Sequence, residues 1–265
     1  MSLLKFHKIQ GAGNDFILID DRDEHFDVHN NALVKFLCDR RFGIGADGLM
    51  LLRKREGYDF QMIYYNSDGN ESSMCGNGGR CIAAFADMIG LKRDKYLFLA
   101  IDGDHDAELS FSADEYWVKL GMIDVAEIEV GSDYLYLNTG SPHYVKFVSD
   151  LKNYPVVQEA QKIRYSDRFK AKGTNVNFVE IIDGVLHIRT YERGVEGETL
   201  ACGTGVTAAV IAAHHSGKIA QTSFPVQAMG GNLKVRFTKE GSVYTNVCLE
   251  GPAKFVFKGE IDVEI

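Results

Sequence analysis

Apolar residues recur along the chain mostly in short extended runs. In the first half, continuous or alternating runs fall at Leu3–Ile9, Phe16–Ile19, Leu49–Leu52, Phe60–Tyr65, Tyr96–Ile101 and Tyr116–Leu120. The second half supplies Tyr134–Leu137, Tyr144–Val148, Val176–Ile182, Leu186–Tyr191, Leu233–Phe237, Tyr244–Leu249 and Phe255–Phe257. Each has strand length and strand composition. Helical spacing is rarer. Ile82, Phe85, Ala86 and Ile89 follow the i, i+3, i+4, i+7 pattern, with Gly90 placed as a stop. Val206, Ala209, Val210 and Ala213 repeat it, stopping at Ser216-Gly217. Asn31–Arg40 and Val157–Arg164 read as surface helices. The two alanine-rich helices carry almost no charge after their first turn, and a helix apolar on most sides must be buried on most sides. The predicted fold class is α/β (α+β): two pseudo-symmetric domains, each a mostly antiparallel sheet wrapped around a central helix.

Two near-copies of one motif open those helices, Glu71-Ser-Ser-Met-Cys75-Gly-Asn-Gly and Glu198-Thr-Leu-Ala-Cys202-Gly-Thr-Gly. An offset of 127 residues, the spacing from Cys75 to Cys202, also carries Gly13 onto Gly140, Gly78 onto Gly205 and Gly90 onto Gly217. The register is too long for a solenoid unit and has the size of a small domain. We expect residues 1–120 as an N-terminal repeat and 121–265 as a C-terminal repeat, with the last few residues packing back on the first.

At 265 residues the chain is long enough for two cores, and 45% hydrophobic with 25% charged residues is ordinary for a globular protein. A formal charge of −8 and the lack of a basic run argue against a nucleic-acid partner. No stretch approaches the ~20 apolar residues of a membrane span, and the opening Met-Ser-Leu-Leu-Lys-Phe-His lacks a secretory pattern. The five cysteines form an odd, scattered set rather than a disulfide framework, so a cytoplasmic location is expected. Cys38, Cys81 and Cys248 read as packing residues, and His214-His215 as a solvated helix end. No metal site is expected, because Cys75 and Cys81 have no CxxC spacing and no matching pair elsewhere.

A thiol at a helix start meets unpaired backbone N–H groups and roughly half a positive charge, which lowers its pKa. The following glycines let the backbone approach a ligand, and the same N–H groups can hold a carboxylate. Two such thiols on either side of a Cα–H would exchange its proton, one removing it while the other delivers one to the opposite face. Glu71 and Glu198 read either as first-turn carboxylates tuning the helix starts or as caps.

The motifs Gly11-Ala-Gly-Asn-Asp-Phe16, Asn66-Ser-Asp-Gly, Met74-Cys-Gly-Asn-Gly-Gly-Arg-Cys81, Asn175-Val-Asn-Phe178, Tyr191-Glu-Arg-Gly194, Ala201-Cys-Gly-Thr-Gly205 and Gly251-Pro-Ala together resemble the diaminopimelate epimerases. The resemblance runs in order from residue 5 to about 260. It implies a cofactor-free isomerase interconverting LL- and meso-diaminopimelate for lysine and cell-wall synthesis, with its active site in the interdomain cleft. It further implies Cys75 and Cys202 as the acid–base pair, and Gly76, Asn77, Gly203 and Thr204 as donors to the reacting carboxylate. Asn14, Asn66, Asn175, Glu192 and Arg193 would recognise the substrate; a guanidinium suits a carboxylate and a carboxylate suits an ammonium. His143 and Ser141 would stand behind them. The expected partner is the small-molecule substrate, with no nucleic acid and no membrane, and a homodimer is left open.

Three departures from the family pattern stand out: Ser141 where Asn is frequent, Gly48 where some members have Gln, and Glu196 as a one-residue insertion expected to bulge outward. Proline or hydroxyproline racemases of the same fold are the rival reading, but they tend to carry histidine where this chain has Asn77. A thiol–disulfide oxidoreductase would place its cysteines close in sequence, and a non-catalytic binding module would be expected to have lost one base.

Overall fold

The computed structural model describes residues 2–263 except 73, 113 and 114. Ser73 of the first cysteine motif and the chain's terminal residues therefore lie outside the described ones. The chain folds as two compact units, Met1–Leu120 with Pro252–Ile265, and Gly121–Gly251.

In the first unit the order is β1 (Ser2–Gly11), β2 (Asn14–Asp20), α1 (Asn31–Cys38), β3 (Gly48–Arg53), β4 (Phe60–Asn66), α2 (Gly76–Met88), β5 (Lys95–Ala100), β6 (Gly103–Ser112) and β7 (Glu115–Gly121). The strands pair in sequence order, with β2–β3 and β4–β5 parallel and the other pairs antiparallel. The parallel pairs are those bridged by helices, because a crossover must return the chain to the same end of the sheet. Alternation along β2 and β3 feeds two layers. Ile17, Ile19, Leu49 and Leu51 form one core with Leu33, Val34, Leu37 and Cys38 of α1, while α2 lies against β1, β2, β3 and β6. Both faces of β3 are thus covered, which is why its sequence is a continuous apolar run.

The second unit follows the same plan with β8 (Ile128–Val130), β9 (Leu135–Asn138), β10 (Pro142–Phe147), α3 (Val156–Arg164), β11 (Asn175–Ile182), β12 (Val185–Glu192), β13 (Gly197–Thr199), α4 (Gly203–His215), β14 (Ser223–Ala228), β15 (Gly231–Glu240) and the first part of β16 (Val243–Val263), whose residues from Pro252 on belong to the first unit. Here β10–β11 and β12–β14 are the parallel pairs, again bridged by helices. Helix α4 is buried along Gly203–Ala213 apart from the half-buried Thr204, against β9, β10, β11, β12, β14 and β15. Val206, Val210 and Ile211 are fully enclosed and contribute roughly 2 kcal/mol each by leaving water. Helix α3 covers the other face through Val156 and Ala160, packed with Tyr144, Val176, Phe178 and Tyr191.

The 127-residue offset carries α2 onto α4 residue for residue, and β3 and β5 onto the starts of β11 and β14 to within one residue. The expected mixed α/β class is found, mostly strand with four α-helices among the described residues. Strands β6, β8, β13 and β14 were not expected. Polar Asp104, Asp106 and Glu108 dilute the alternation of β6, and Pro225 interrupts β14. The runs at Tyr244 and Phe255 belong to one strand, β16, whose first part pairs with β15 and whose later residues pair with β1. Among the described residues, no helix is long and apolar enough to cross a membrane.

Candidate functional site

Cys75 is the N-cap of α2, with extended backbone (φ −102°, ψ 146°), and its sulfur accepts the Gly78 N–H at 3.1 Å. It thus takes the place that a serine or threonine oxygen fills in an ordinary cap. Three glycines at Gly76, Gly78 and Gly79 are poor helix formers, but two of them stand where a side chain would have to displace its neighbours. A Cβ on Gly79 would lie 2.9 Å from Leu120 and Met74, and one on Gly78 would lie 3.2 Å from the Cys75 sulfur.

Around this sulfur the first unit gathers Asn14 and Asn77. The Asn14 Oδ1 faces Cys75 Sγ at 3.9 Å and accepts the Asn77 side-chain amide at 3.4 Å. The Asn77 Oδ1 accepts in turn from Arg80, which is fully buried and also donates to the Gly76 and Pro252 carbonyls. Burial pushes the Arg80 guanidinium down to about 10, against the opposing pull of Cys81 and Cys75. Asn66 is exposed at the end of β4, opposite Gly48. The Gly48 departure has a local cause: a Cβ there would lie 2.6 Å from the Tyr64 ring and the Tyr65 carbonyl.

Cys202 is the N-cap of α4 (φ −112°, ψ 110°) and is 8% exposed. Its sulfur does not cap its own helix; it lies 3.5 Å from the Thr204 hydroxyl. Thr204 Oγ1 is 2.9 Å from His143 Nε2, whose Nδ1 is 3.1 Å from the Asn177 amide. His143 is fully enclosed. Burial, and then the charge of Arg193, push its imidazole down to about 3, the Asn177 bond opposing them.

The remaining expected residues of this unit form a second group. Asn175 donates to Ser141 Oγ at 2.9 Å, and its Oδ1 accepts the Arg193 backbone N–H at 2.8 Å. An Arg193 guanidinium nitrogen lies 3.4 Å from Ser141 Oγ, so Ser141 joins the two. The Glu192 carboxylate accepts from Thr199 at 2.9 Å, while the Arg193 side chain is exposed. Gly203 is buried in the first turn of α4.

Several expectations are corrected. Neither Glu71 nor Glu198 lies in a helix first turn. Glu71 bridges to Tyr65, and Glu198 is on β13, doubly bonded to Arg189 at 2.6 and 2.8 Å. Glu196 does not bulge into solvent. It takes a left-handed turn (φ 55°), and its carboxylate folds back onto Arg164 at 2.9 Å and onto the Tyr165 and Tyr191 hydroxyls. Of the His214-His215 pair, His215 is exposed as expected, whereas the half-buried His214 packs on Phe237 and bonds Tyr244 at 3.1 Å. Sequence reasoning also missed Asp47 and Asn177. The sequence offered a weak signal for each, Asp47 beside Gly48 and Asn177 two residues after Asn175, but a carboxylate or amide in an apolar run reveals its partner only in three dimensions.

The family model for diaminopimelate epimerase matches residues 6–123 and 135–256. The chain is 50% identical over 259 residues to the diaminopimelate epimerase of Flavobacterium psychrophilum, covering 97% of this chain and 100% of that protein. It is 41% identical over 262 residues to that of Chlorobaculum tepidum, covering 96% and 99%. Among solved structures it is similar to a phenazine biosynthesis protein of the PhzF family from Bacillus anthracis (TM-score 0.78, 14% identity, 99% and 100% covered). It is also similar to a probable proline racemase from Agrobacterium radiobacter (TM-score 0.70, 16% identity, 98% and 93% covered). At such identities these two structures speak for a shared fold alone. The full-length relatives and the family model carry the assignment further, and the chain belongs to the diaminopimelate epimerase family.

Proposed function

We propose that diaminopimelate epimerisation by this chain, an isomerase step of lysine biosynthesis, is a 1,1-proton transfer with Cys75 and Cys202 as the two bases. The observation that carries the reading is positional. Each cysteine stands at the N-cap position of a buried, apolar helix, at corresponding places in an internal repeat, where backbone N–H groups and the helix dipole favour a thiolate and a carboxylate. One thiolate takes the α-proton of LL-2,6-diaminopimelate, and the opposite thiol delivers a proton to the other face, giving the meso isomer. Charge spreading onto the α-carboxylate is held by preorganised donors among Gly76, Asn77, Gly203 and Thr204, each worth ~3 kcal/mol. Asn14, Asn66, Asn175, Glu192 and Arg193 hold the rest of the substrate, including its second amino-acid end. A product with this stereochemistry also serves cell-wall synthesis.

The test is incubation of LL-diaminopimelate with the protein in D₂O and no added cofactor. Inversion with deuterium entering at the α-carbon is expected, and it should be lost in both Cys75→Ser and Cys202→Ser. Inversion at the wild-type rate in both variants would sink the mechanism.

A further inference from the structure

The polar chain behind Cys202 has a direction that can be read from its buried end. Asn177 is fully enclosed, its Oδ1 accepts the Thr190 hydroxyl at 3.0 Å, and its amide nitrogen donates to the Tyr144 carbonyl at 3.1 Å. A carbonyl only accepts, so the amide cannot be turned around. Its second N–H points at His143 Nδ1, which must then present a lone pair. The imidazole proton therefore sits on Nε2 and is donated to Thr204 Oγ1. With one lone pair of that oxygen engaged, the Thr204 hydroxyl proton is left available to Cys202 Sγ, 3.5 Å away.

We propose that Asn177 and His143 are positioning residues that set the Thr204 hydroxyl as a hydrogen-bond donor to the Cys202 sulfur, favouring its thiolate. The reading rests on the assignment of Cys202 as a base. It gives His143 a part other than proton acceptor, since its ring never leaves one neutral tautomer. The repeat offers an internal control: the 127-residue offset places Phe16 and Met50 where His143 and Asn177 stand, and Asn77 where Thr204 stands. Cys75 takes a backbone N–H from Gly78 instead. The two halves thus reach a reactive sulfur by different donors. The charged side chains on the flanking strands include Lys146 on β10, Glu180 on β11, Glu192 and Arg193 at the end of β12 and the Arg189–Glu198 pair across β12 and β13, and they are unchanged in the variants below.

Two measurements on the full chain without substrate test this. In protein labelled with ¹⁵N-histidine, ring correlation spectra should show His143 protonated on Nε2 and unchanged between about pH 6 and pH 9, where an ordinary histidine titrates at the acid end. An Nδ1–H tautomer or an imidazolium there would overturn the proposal. Second, iodoacetamide labelling of Cys202 followed by mass spectrometry should slow by about tenfold near neutral pH in Thr204→Val, equivalent to about one unit of thiol pKa. Thr204→Ser should restore it, and Cys75 in the same digest should keep its wild-type rate. Unchanged Cys202 labelling in Thr204→Val, or equal slowing of both cysteines, would overturn the proposal. Because neither readout uses turnover, full activity of Cys202→Ser would remove the base assignment while leaving the hydrogen-bond result standing.

Discussion

The Asn14 amide nitrogen donates to an Asp47 carboxylate oxygen at 2.6 Å, and this one bond decides what Cys75 faces. A carboxylate only accepts, so Asn14 is locked with its carbonyl oxygen toward the sulfur and the Asn77 amide. Asp47 is itself held by Arg40 at 2.8 Å, and Arg40 also binds Asp15. Asp47→Ala should release Asn14 while costing little stability, because Asp47 is 45% exposed and exposed pairs are worth about 1 kcal/mol or less. The expected result is a fall in kcat/KM of about tenfold, the worth of one oriented hydrogen bond, with little change in the urea midpoint. A wild-type kcat/KM would show that the orientation of Asn14 is immaterial.

Acid should weaken the fold in two separable windows. Burial keeps His143 neutral, with its pKa lowered from 6.5 to about 3. The unfolded chain therefore takes up this proton first, and stability falls as pH drops from about 6.5 toward 3. The full effect is on the order of 4 kcal/mol. Denaturant midpoints measured across that range should fall less steeply in His143→Gln than in the wild type. Parallel curves would contradict a buried neutral imidazole.

Asp15 supplies the second window. Burial raises its pKa, but hydrogen bonds from Arg40 and Lys8 outweigh this and hold the carboxyl at about 2, below the ordinary 3.8. A depressed carboxyl stabilises above its unfolded pKa and stops doing so as pH falls through the folded one. This contribution, roughly 2 kcal/mol, should therefore disappear between about pH 4 and pH 2. Asp15→Asn should cost roughly 3 kcal/mol at neutral pH, since Lys8 is only 7% exposed beside it at 2.8 Å and would lose its counter-charge. Chemical denaturation at pH 7 checks this, and a loss below 1 kcal/mol would reduce the pair to an ordinary surface one.

Three cysteines of the first unit should separate sharply in labelling. Burial pushes the Cys38 thiol up to about 12 and raises Cys81 as well, so neither carries thiolate at neutral pH. Brief iodoacetamide treatment of folded protein, followed by peptide mass spectrometry, should modify Cys75 and leave Cys38 and Cys81 intact. Labelling of Cys81 on the same timescale would mean that α2 opens readily.

Gly205 and Gly78 occupy equivalent places in the repeat but should tolerate alanine differently. A Cβ on Gly205 would meet Asn177 Oδ1 at 2.5 Å, and that amide is pinned by three partners. A Cβ on Gly78 would meet the Cys75 sulfur at 3.2 Å and the Met50 sulfur at 3.4 Å, and Met50 can adapt. Thermal melts should show Gly205→Ala losing roughly 2–3 kcal/mol and Gly78→Ala clearly less. Equal losses would remove the distinction.

By itself the sequence determined what local pattern can determine. The continuous apolar runs of β2 and β3, the near-uniform apolarity of α4 and the 127-residue register are all visible along the chain, so most of the strands, the buried helices and the repeat could be read directly. The two cysteines were equally legible, because a helix start needs only a few adjacent residues. Tertiary structure decided everything that depends on partners distant in the chain. It turned Glu196 inward onto Arg164, tied Glu198 to Arg189, brought Asp47 to Asn14, and aligned Asn177, His143 and Thr204 behind the Cys202 sulfur. The physical reason is that a hydrogen bond depends on direction over about 3 Å, whereas hydrophobic burial needs only the right face. Periodicity encodes a face; it does not encode which donor meets which acceptor.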